Sequence, residues 1–215
     1  MTGRLEACIR LAEKVGIKNK RILDIGCSYP WFIEYALKQG AKSASGVEPD
    51  EKKVKTAQKQ VPRAKIIQGY ADKLEFAIGS MDLITLFDVI EHVPINTELK
   101  VFFEINRVLA KKGYLIISTP YSHLVAKLTD PAWYFGHRHY SKAQLSEMLR
   151  KAGFKVKTIA TYGGVWEIMG MLVLYISKWI FRIKMPFEDW FDSKRRKEFK
   201  ENGFTHIMVI AQKIT

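Results

Sequence analysis

Cysteine is nearly missing from this chain of 215 residues, where only Cys8 and Cys27 occur, far apart. They make neither a disulfide framework nor a CxxC metal-ligand pattern, so a reducing cytoplasm is the expected compartment. Long apolar runs are missing as well. Met1 to Leu11 carries Arg4, Glu6 and Arg10 among its apolar residues and does not read as a signal peptide. The most apolar stretch, bracketed by Glu167 and Lys178, is far shorter than the ~20 residues a membrane span requires. No repeat, low-complexity tract or Gly/Ser/Pro-rich linker divides the chain, so one domain over residues 1–215 is expected. Acidic residues are in short supply: 22 Asp plus Glu face 35 Lys plus Arg, a net charge of +13. Such a surface attracts polyanions at modest salt, which admits nucleic acid, anionic lipid or a phosphorylated small molecule, and equally a Lys-rich surface with no such partner. At 47% hydrophobic residues the chain can offset its ordering entropy, which excludes a disordered or collagenous protein.

What is present is a strict alternation of short β-rich runs and amphipathic stretches. Strands are expected at 21–25, 43–48, 65–68, 81–87 and 113–118, with helices at 31–39, 50–60 and 97–110 between them. Asp50 suits a helix N-cap, and Gly40 and Gly113 suit stops. Alternation of this kind implies a parallel sheet covered on both faces, a doubly wound α/β fold. After Pro120 a loop rich in aromatic residues and histidine precedes a helix at 141–152, capped by Ser141, and a strand at 154–162. A last strand, 205–213, can run antiparallel beside it at one edge of the sheet. Residues 163–203 form a helical insert between those two strands.

Ile22-Leu23-Asp24-Ile25-Gly26-Cys27-Ser28 leads from the first strand into a helix. Glycine at such a turn lets backbone approach a ligand, and the helix N-terminus beyond it favours a carboxylate or phosphate. About 20 residues later the second strand ends in Glu48, where a carboxylate can accept both hydroxyls of a ribose; the plainer reading of Glu48 is a charge that favours the N-terminus of the next helix. Histidine titrates near working pH, which makes His92, after the fourth strand, and His137 and His139, in the late loop, candidates for a general base. His137 and His139 also hint at a metal pair, but no nearby carboxylate or cysteine in the sequence completes a ligand set, and no metal is expected.

In this order the motifs resemble the class I S-adenosylmethionine-dependent methyltransferases, in particular the small type 11/23 branch that includes ubiquinone-biosynthesis-like enzymes. The likeness covers roughly residues 20 to 160. Ile22–Ser28 is similar to the glycine-rich first motif, Gly69-Tyr70-Ala71-Asp72-Lys73-Leu74 to the adenine-contacting turn, and DLITLFDVIEHV (Asp82–Val93) to the fourth strand and the helix entry after it. LAKKGYLIISTP (Leu109–Pro120) and Arg138-His139-Tyr140-Ser141 complete the set. The resemblance implies a Rossmann-like, mostly parallel sheet with an antiparallel last strand, and S-adenosyl-L-methionine as cofactor. It places Asp24, Gly26 and Cys27 near the methionine part, Glu48 at the ribose, Ala71 and Asp72 at the adenine, and Phe87 at the end of the fourth strand. The chain departs from the pattern at Ser28, Tyr29 and Pro30, where the family usually shows Gly-x-Gly, and at Tyr70, where an aspartate is frequent. The acceptor implied is a small or lipid-like molecule. An RNA methyltransferase, motivated by the charge, and a catalytically silent binding protein, motivated by Ser28 and Pro30, are the rivals.

The insert reads VWEIMGMLVLYISKWIFRIK from Val165 to Lys184. On one continuous helix Glu167, Lys178 and Arg182 fall on a narrow stripe, leaving a broad surface that includes Trp166, Ile168, Leu172, Trp179 and Ile183. That surface must be covered by the domain's own sheet as a lid near His137 and His139, by a second subunit, or by a membrane interface. The basic cluster Lys194, Arg195, Arg196, Lys197 and Lys200, just downstream, suits an anionic apolar substrate.

Overall fold

The computed structural model describes residues 3–200 and 202–214; Met1, Thr2, Glu201 and Thr215, at the N-terminal segment, the end of the insert and the end of the chain, lie outside them. Helix α1 (Gly3–Val15) precedes β1 (Arg21–Ile25), α2 (Trp31–Lys38), β2 (Ser43–Glu48), α3 (Glu51–Gln60) and β3 (Lys65–Gln68). Then come β4 (Met81–Phe87), α4 (Glu98–Val108), β5 (Leu109–Pro120), α5 (Leu124–Thr129), α6 (Lys142–Lys151) and β6 (Phe154–Tyr162). The insert contributes α7 (Val165–Tyr175), a π-helical turn (Ile176–Phe181) and α8 (Glu188–Glu198) before β7 (His206–Lys213) closes the order.

Seven strands form one sheet in the order β3-β2-β1-β4-β5-β7-β6. The first five are parallel, while β7 runs antiparallel between β5 and β6. Side chains alternate across the pleat, so Leu23 and Ile25 of β1 enter one core and Ile22 the other. Phe102 and Ile105 of α4 with Leu145 and Leu149 of α6 cover the first face; Leu11 of α1, Phe32 of α2 and Val54 of α3 cover the second. Asp50 caps α3 by accepting from the Lys52 and Lys53 N–H groups, and Ser141 and Gln144 form a reciprocal capping box on α6. The chain order reverses between β1 and β4, and the carboxyl ends of these strands therefore open the crevice in which doubly wound sheets hold ligands.

Three expectations are corrected. The fifth strand begins at Leu109 instead of Gly113, because Leu109 already pairs with Met81 of β4 and Gly113 lies inside the strand. The insert is not one continuous α-helix: it widens to π geometry at Ile176, which breaks the predicted stripe, so that Glu167 is buried while Lys178 and Arg182 face solvent. Nor are its distal aromatics packed within the molecule, since Trp179 and Phe181 remain 72% and 64% exposed. Helix α8 instead packs on α7 and α1. Gly3 makes the α1 contact possible, because a Cβ there would stand 2.7 Å from the Arg195 carbonyl oxygen of α8.

Candidate functional site

Two cavities open at the carboxyl side of the parallel strands. The first, about 330 Å³, is bounded by Gly26 after β1, Val47 and Pro49 around the end of β2, Ala71 and Asp72 after β3, and Val89 after β4. Its walls are mostly apolar. Gly26 takes φ +74°, and a Cβ built on it would fall 2.3 Å from Val89 Cγ2, so this turn is made for glycine and leaves its backbone bare toward the cavity. Asp72 accepts from Lys100 Nζ at 2.8 Å, a hydrogen bond that holds its carboxyl below the ordinary aspartate value.

Not every predicted binding residue reaches this cavity. Gly26, Ala71 and Asp72 line it; Asp24, Cys27, Glu48 and Phe87 do not, although Val47 and Pro49 on either side of Glu48 do. Asp24 is buried in β1, where Thr85 Oγ1 donates to it at 2.6 Å and burial pushes its carboxyl up to about 7. Cys27 turns its sulfur onto Gly46 of β2, where a Cβ would come within 2.6 Å of it, and burial raises its thiol to about 12. Phe87 lies in the second core, stacked on Trp31 at 5.8 Å and edge-on to Phe32. Glu48 is buried, with Ser28 N–H donating to Oε2 at 3.0 Å and Asp50 N–H to Oε1 at 3.2 Å. It braces the turn, in which Ser28 adopts φ +36° where the usual pattern has glycine.

The second cavity, about 400 Å³, is charged. His92, His137 and His139 meet there although 47 residues separate the first from the last. Arg138 ties their loop to the segment after β4: it donates to the Ile90 and Val93 carbonyls and to Glu98 Oε1. The His92 and His137 rings lie 4.7 Å apart. His137 Nδ1 is 2.8 Å and His139 Nε2 2.9 Å from Asp130 Oδ2, and His139 Nδ1 is 3.2 Å from the Tyr121 carbonyl. Burial alone would raise the Asp130 carboxyl, but the hydrogen bonds from the two rings outweigh it and hold Asp130 ionised. His92 is held below the ordinary histidine value by partial desolvation and by His137 beside it. Glu91 is 3% exposed; Thr119 Oγ1 donates to its Oε2, while Oε1 has no hydrogen-bond partner and lies 3.8 Å from His137 Nε2. Burial, with Asp88 nearby, raises this carboxyl well above the usual range.

The far wall comes from the chain ends and the insert. Arg4 of α1 sits 3.1 Å from Asp88 Oδ2 and 3.1 Å from His206 Nε2 of β7, and Arg195 of α8 lies 2.6 Å from Glu167 Oε2 of α7. Burial opposes charge on Asp88 and Glu167, yet Arg4 and Arg195 keep both carboxyls low. Ile168, Met171, Leu174 and Tyr175 of α7 add an apolar strip. Of the basic cluster, Arg195 is thus paired internally, Arg196 lies 3.1 Å from Glu6, and Lys194 rests over Trp166 and Trp190. The expected lack of a carboxylate near the histidines is overturned. Glu91, His92 and His137 form one group whose possible ligand atoms all lie within 4.8 Å of one another, and Asp130, His137 and His139 form another. In the second group hydrogen bonds already join the three side chains.

Residues 4–159 match the methyltransferase domain family. The chain belongs to that family. It is 29% identical over 157 residues to a probable S-adenosylmethionine-dependent methyltransferase of Mycolicibacterium smegmatis, which is 72% of this chain and 59% of that protein. It is 24% identical to a ubiquinone biosynthesis O-methyltransferase of Neisseria meningitidis, covering 65% of this chain and 66% of the relative. The chain thus spans about three fifths to two thirds of the length of these relatives. Among solved structures, an S-adenosylmethionine-dependent methyltransferase from Mesorhizobium loti superposes with a TM-score of 0.70 at 16% identity, over 96% of this chain and 98% of that one. S-adenosylmethionine is the cofactor the family implies. The first cavity fits it: a glycine turn that no Cβ can fill borders an apolar pocket at the switch point, within the ~300–1,000 Å³ of small-molecule sites. Sequence reasoning missed Glu91, Asp130, Arg4 and His206 in the second cavity. Glu91 adjoins His92, and Asp130 stands seven residues before His137, so these two had a local signal; Arg4 and His206 had none.

Proposed function

We propose that the domain transfers a methyl group from S-adenosylmethionine to a hydroxyl-bearing, small or lipid-like acceptor held in the charged cavity. One observation carries this reading: His92 lines both cavities, and among the described residues it is the only one common to their walls. Bound in the first cavity, the cofactor supplies an electrophilic methyl group. The backbone at Gly26 and the walls at Val47, Ala71 and Asp72 hold it there. Glu48, between the cavity-lining Val47 and Pro49, is the carboxylate for the ribose, since it offers about four lone-pair sites and the turn uses two.

In the second cavity the acceptor's apolar part lies along Ile168, Met171 and Leu174. Glu91 Oε1, buried without a protein partner on a carboxyl that burial keeps protonated, donates to a lone pair of the acceptor oxygen and orients it, leaving the hydroxyl proton to face His92. His92, neutral at working pH, takes the proton as the oxygen is methylated. His137 and His139 act through position. Asp130 holds His137 by Nδ1, and His139 is fixed between the Asp130 carboxylate and the Tyr121 carbonyl, so both rings are tied to fixed partners. The internal pairing of Arg195, Arg196 and Lys194 leaves less free basic surface for RNA than the net charge suggests. Calorimetric titration with the demethylated cofactor product, S-adenosylhomocysteine, tests the reading at its root: saturable one-to-one binding is expected, and its absence in the folded protein refutes the cofactor assignment.

A further inference from the structure

The wall of the charged cavity continues outward into a surface with nothing over it. Met171, Leu174 and Tyr175 of α7 line the cavity mouth, and the π-helical turn then carries Ile176, Trp179, Ile180 and Phe181 into solvent, with Ile183 and Phe187 next along the chain. Trp179, Ile180 and Phe187 are each at least 70% exposed. Helix α5 packs beside α7 and adds Leu124, Val125 and Leu128, also exposed. Contiguous exposed apolar side chains on this scale mark an interaction site. The charges within it have one sign: Lys178, Arg182 and Lys184 are exposed, and no acidic residue occurs from Ile168 to Phe187; Glu188 and Asp189 begin only at α8.

We propose that this tip is a docking surface for an anionic lipid bilayer. Tryptophan and phenylalanine flanked by lysine and arginine is the composition that settles at the headgroup boundary, where the rings enter the acyl edge and the cations meet lipid phosphates. A second copy of the chain fits less well. A two-fold contact would set this patch against itself and bring Lys178, Arg182 and Lys184 against the same three cations, in a molecule already at +13. No helix among the described residues is long and apolar enough to cross a membrane, so the contact lies on the surface. Docking would bring the cavity mouth to the bilayer, where an apolar acceptor resides; that consequence rests on the proposed methyl transfer, whereas the docking itself does not.

Flotation of the full chain with vesicles tests the proposal, one set of phosphatidylcholine alone and one with a third of phosphatidylglycerol. The protein should rise with the anionic vesicles roughly tenfold more than with the neutral ones, and lose that excess at high salt. The pair Trp179→Ser and Phe181→Ser, and separately Lys178→Glu with Arg182→Glu, should each cut recovery about tenfold with S-adenosylhomocysteine affinity unchanged. Because these side chains are exposed, retained product binding certifies that a variant is folded. Failure of the unaltered chain to float, or equal flotation of the aromatic variant, overturns the proposal. So does a dimer in sedimentation that the same substitutions dissolve, which would assign the patch to a second copy. If the chain floats but binds no cofactor product, the docking stands and the proposed methyl transfer falls.

Discussion

The two cavities that meet at His92 are built by opposite means. The first cavity is apolar and made mostly of the ends of β1 to β4 and the segments that follow them, so most of its wall is placed by the strand before it. The second cavity, proposed to hold the acceptor, is charged and made of pieces that only the finished fold assembles: Arg4 meets His206 across 202 positions, and Glu167 meets Arg195 across 28. The first needs little more than strand, glycine and turn; the second needs every late element in place. The family match ends at residue 159, so His92, Asp130 and His137 of the charged cavity lie within it, while Glu167, Arg195 and His206, which complete its far wall, lie beyond it.

The sharpest break in that comparison falls at the junction itself. His92→Ala should lower kcat by about 10²–10⁴, the usual worth of a positioned general base, while product affinity in calorimetry stays within about threefold. Equal losses in both would mean that His92 is only part of the cofactor wall. Next in size is the long-range wall. Glu167→Ala leaves the Arg195 guanidinium, whose side chain is 14% exposed, with Asp192 at 3.1 Å as its remaining partner, so the loss should fall near the low end for a broken buried pair, about 3 kcal/mol in urea unfolding. A loss below about 1 kcal/mol would show that the insert is held by packing and not by this pair.

The parallel half was legible because its signals are local. Ser141 and Asp50 were readable as caps, since a hydroxyl or carboxylate before an amphipathic run meets the N–H groups of the next turn. Residues 154–162 were readable as a strand for the same kind of reason. Gly26 was readable as the ligand turn, yet Asp24, Cys27 and Phe87, beside or near it in a familiar motif, turn away from the cavity. Motif membership fixes the backbone path; which way a side chain faces depends on what packs behind it, here Thr85, Gly46 and Trp31. The insert misled because periodicity assumes one unbroken helix, and the π turn at Ile176 resets the phase.

Asp24 offers a third, smaller test, of the buried floor beneath the cofactor turn. Its carboxyl titrates near 7 in the fold against 3.8 in the open chain, so the native state holds the proton more tightly and stability falls as pH rises from about 4 to about 7, then levels. A gap of about 3 pH units at ~1.4 kcal/mol each sets a ceiling near 4 kcal/mol, of which relaxation should leave about 2. Asp24→Asn keeps an acceptor for Thr85 Oγ1 and removes the titration. Its unfolding free energy should match the parent at pH 4 and exceed it at pH 8; a parent curve already flat over that window refutes the assignment.

The smallest effect concerns the departure at Ser28, where left-handed backbone falls on a residue with a Cβ. Such a conformation costs a non-glycine residue about 1–3 kcal/mol, and glycine would return that while adding about 0.4–1 kcal/mol of freedom to the unfolded chain. Relief of strain outweighs the added freedom, so Ser28→Gly should stabilise the fold by about 1 kcal/mol, read as a rise in denaturation midpoint at unchanged slope. The N–H that Ser28 donates to Glu48 belongs to the backbone and survives the change. Product affinity should therefore hold or rise slightly. If affinity falls instead, the serine side chain itself contributes to cofactor binding, and this turn is a variation on the glycine-rich cradle in place of a weakened copy of it.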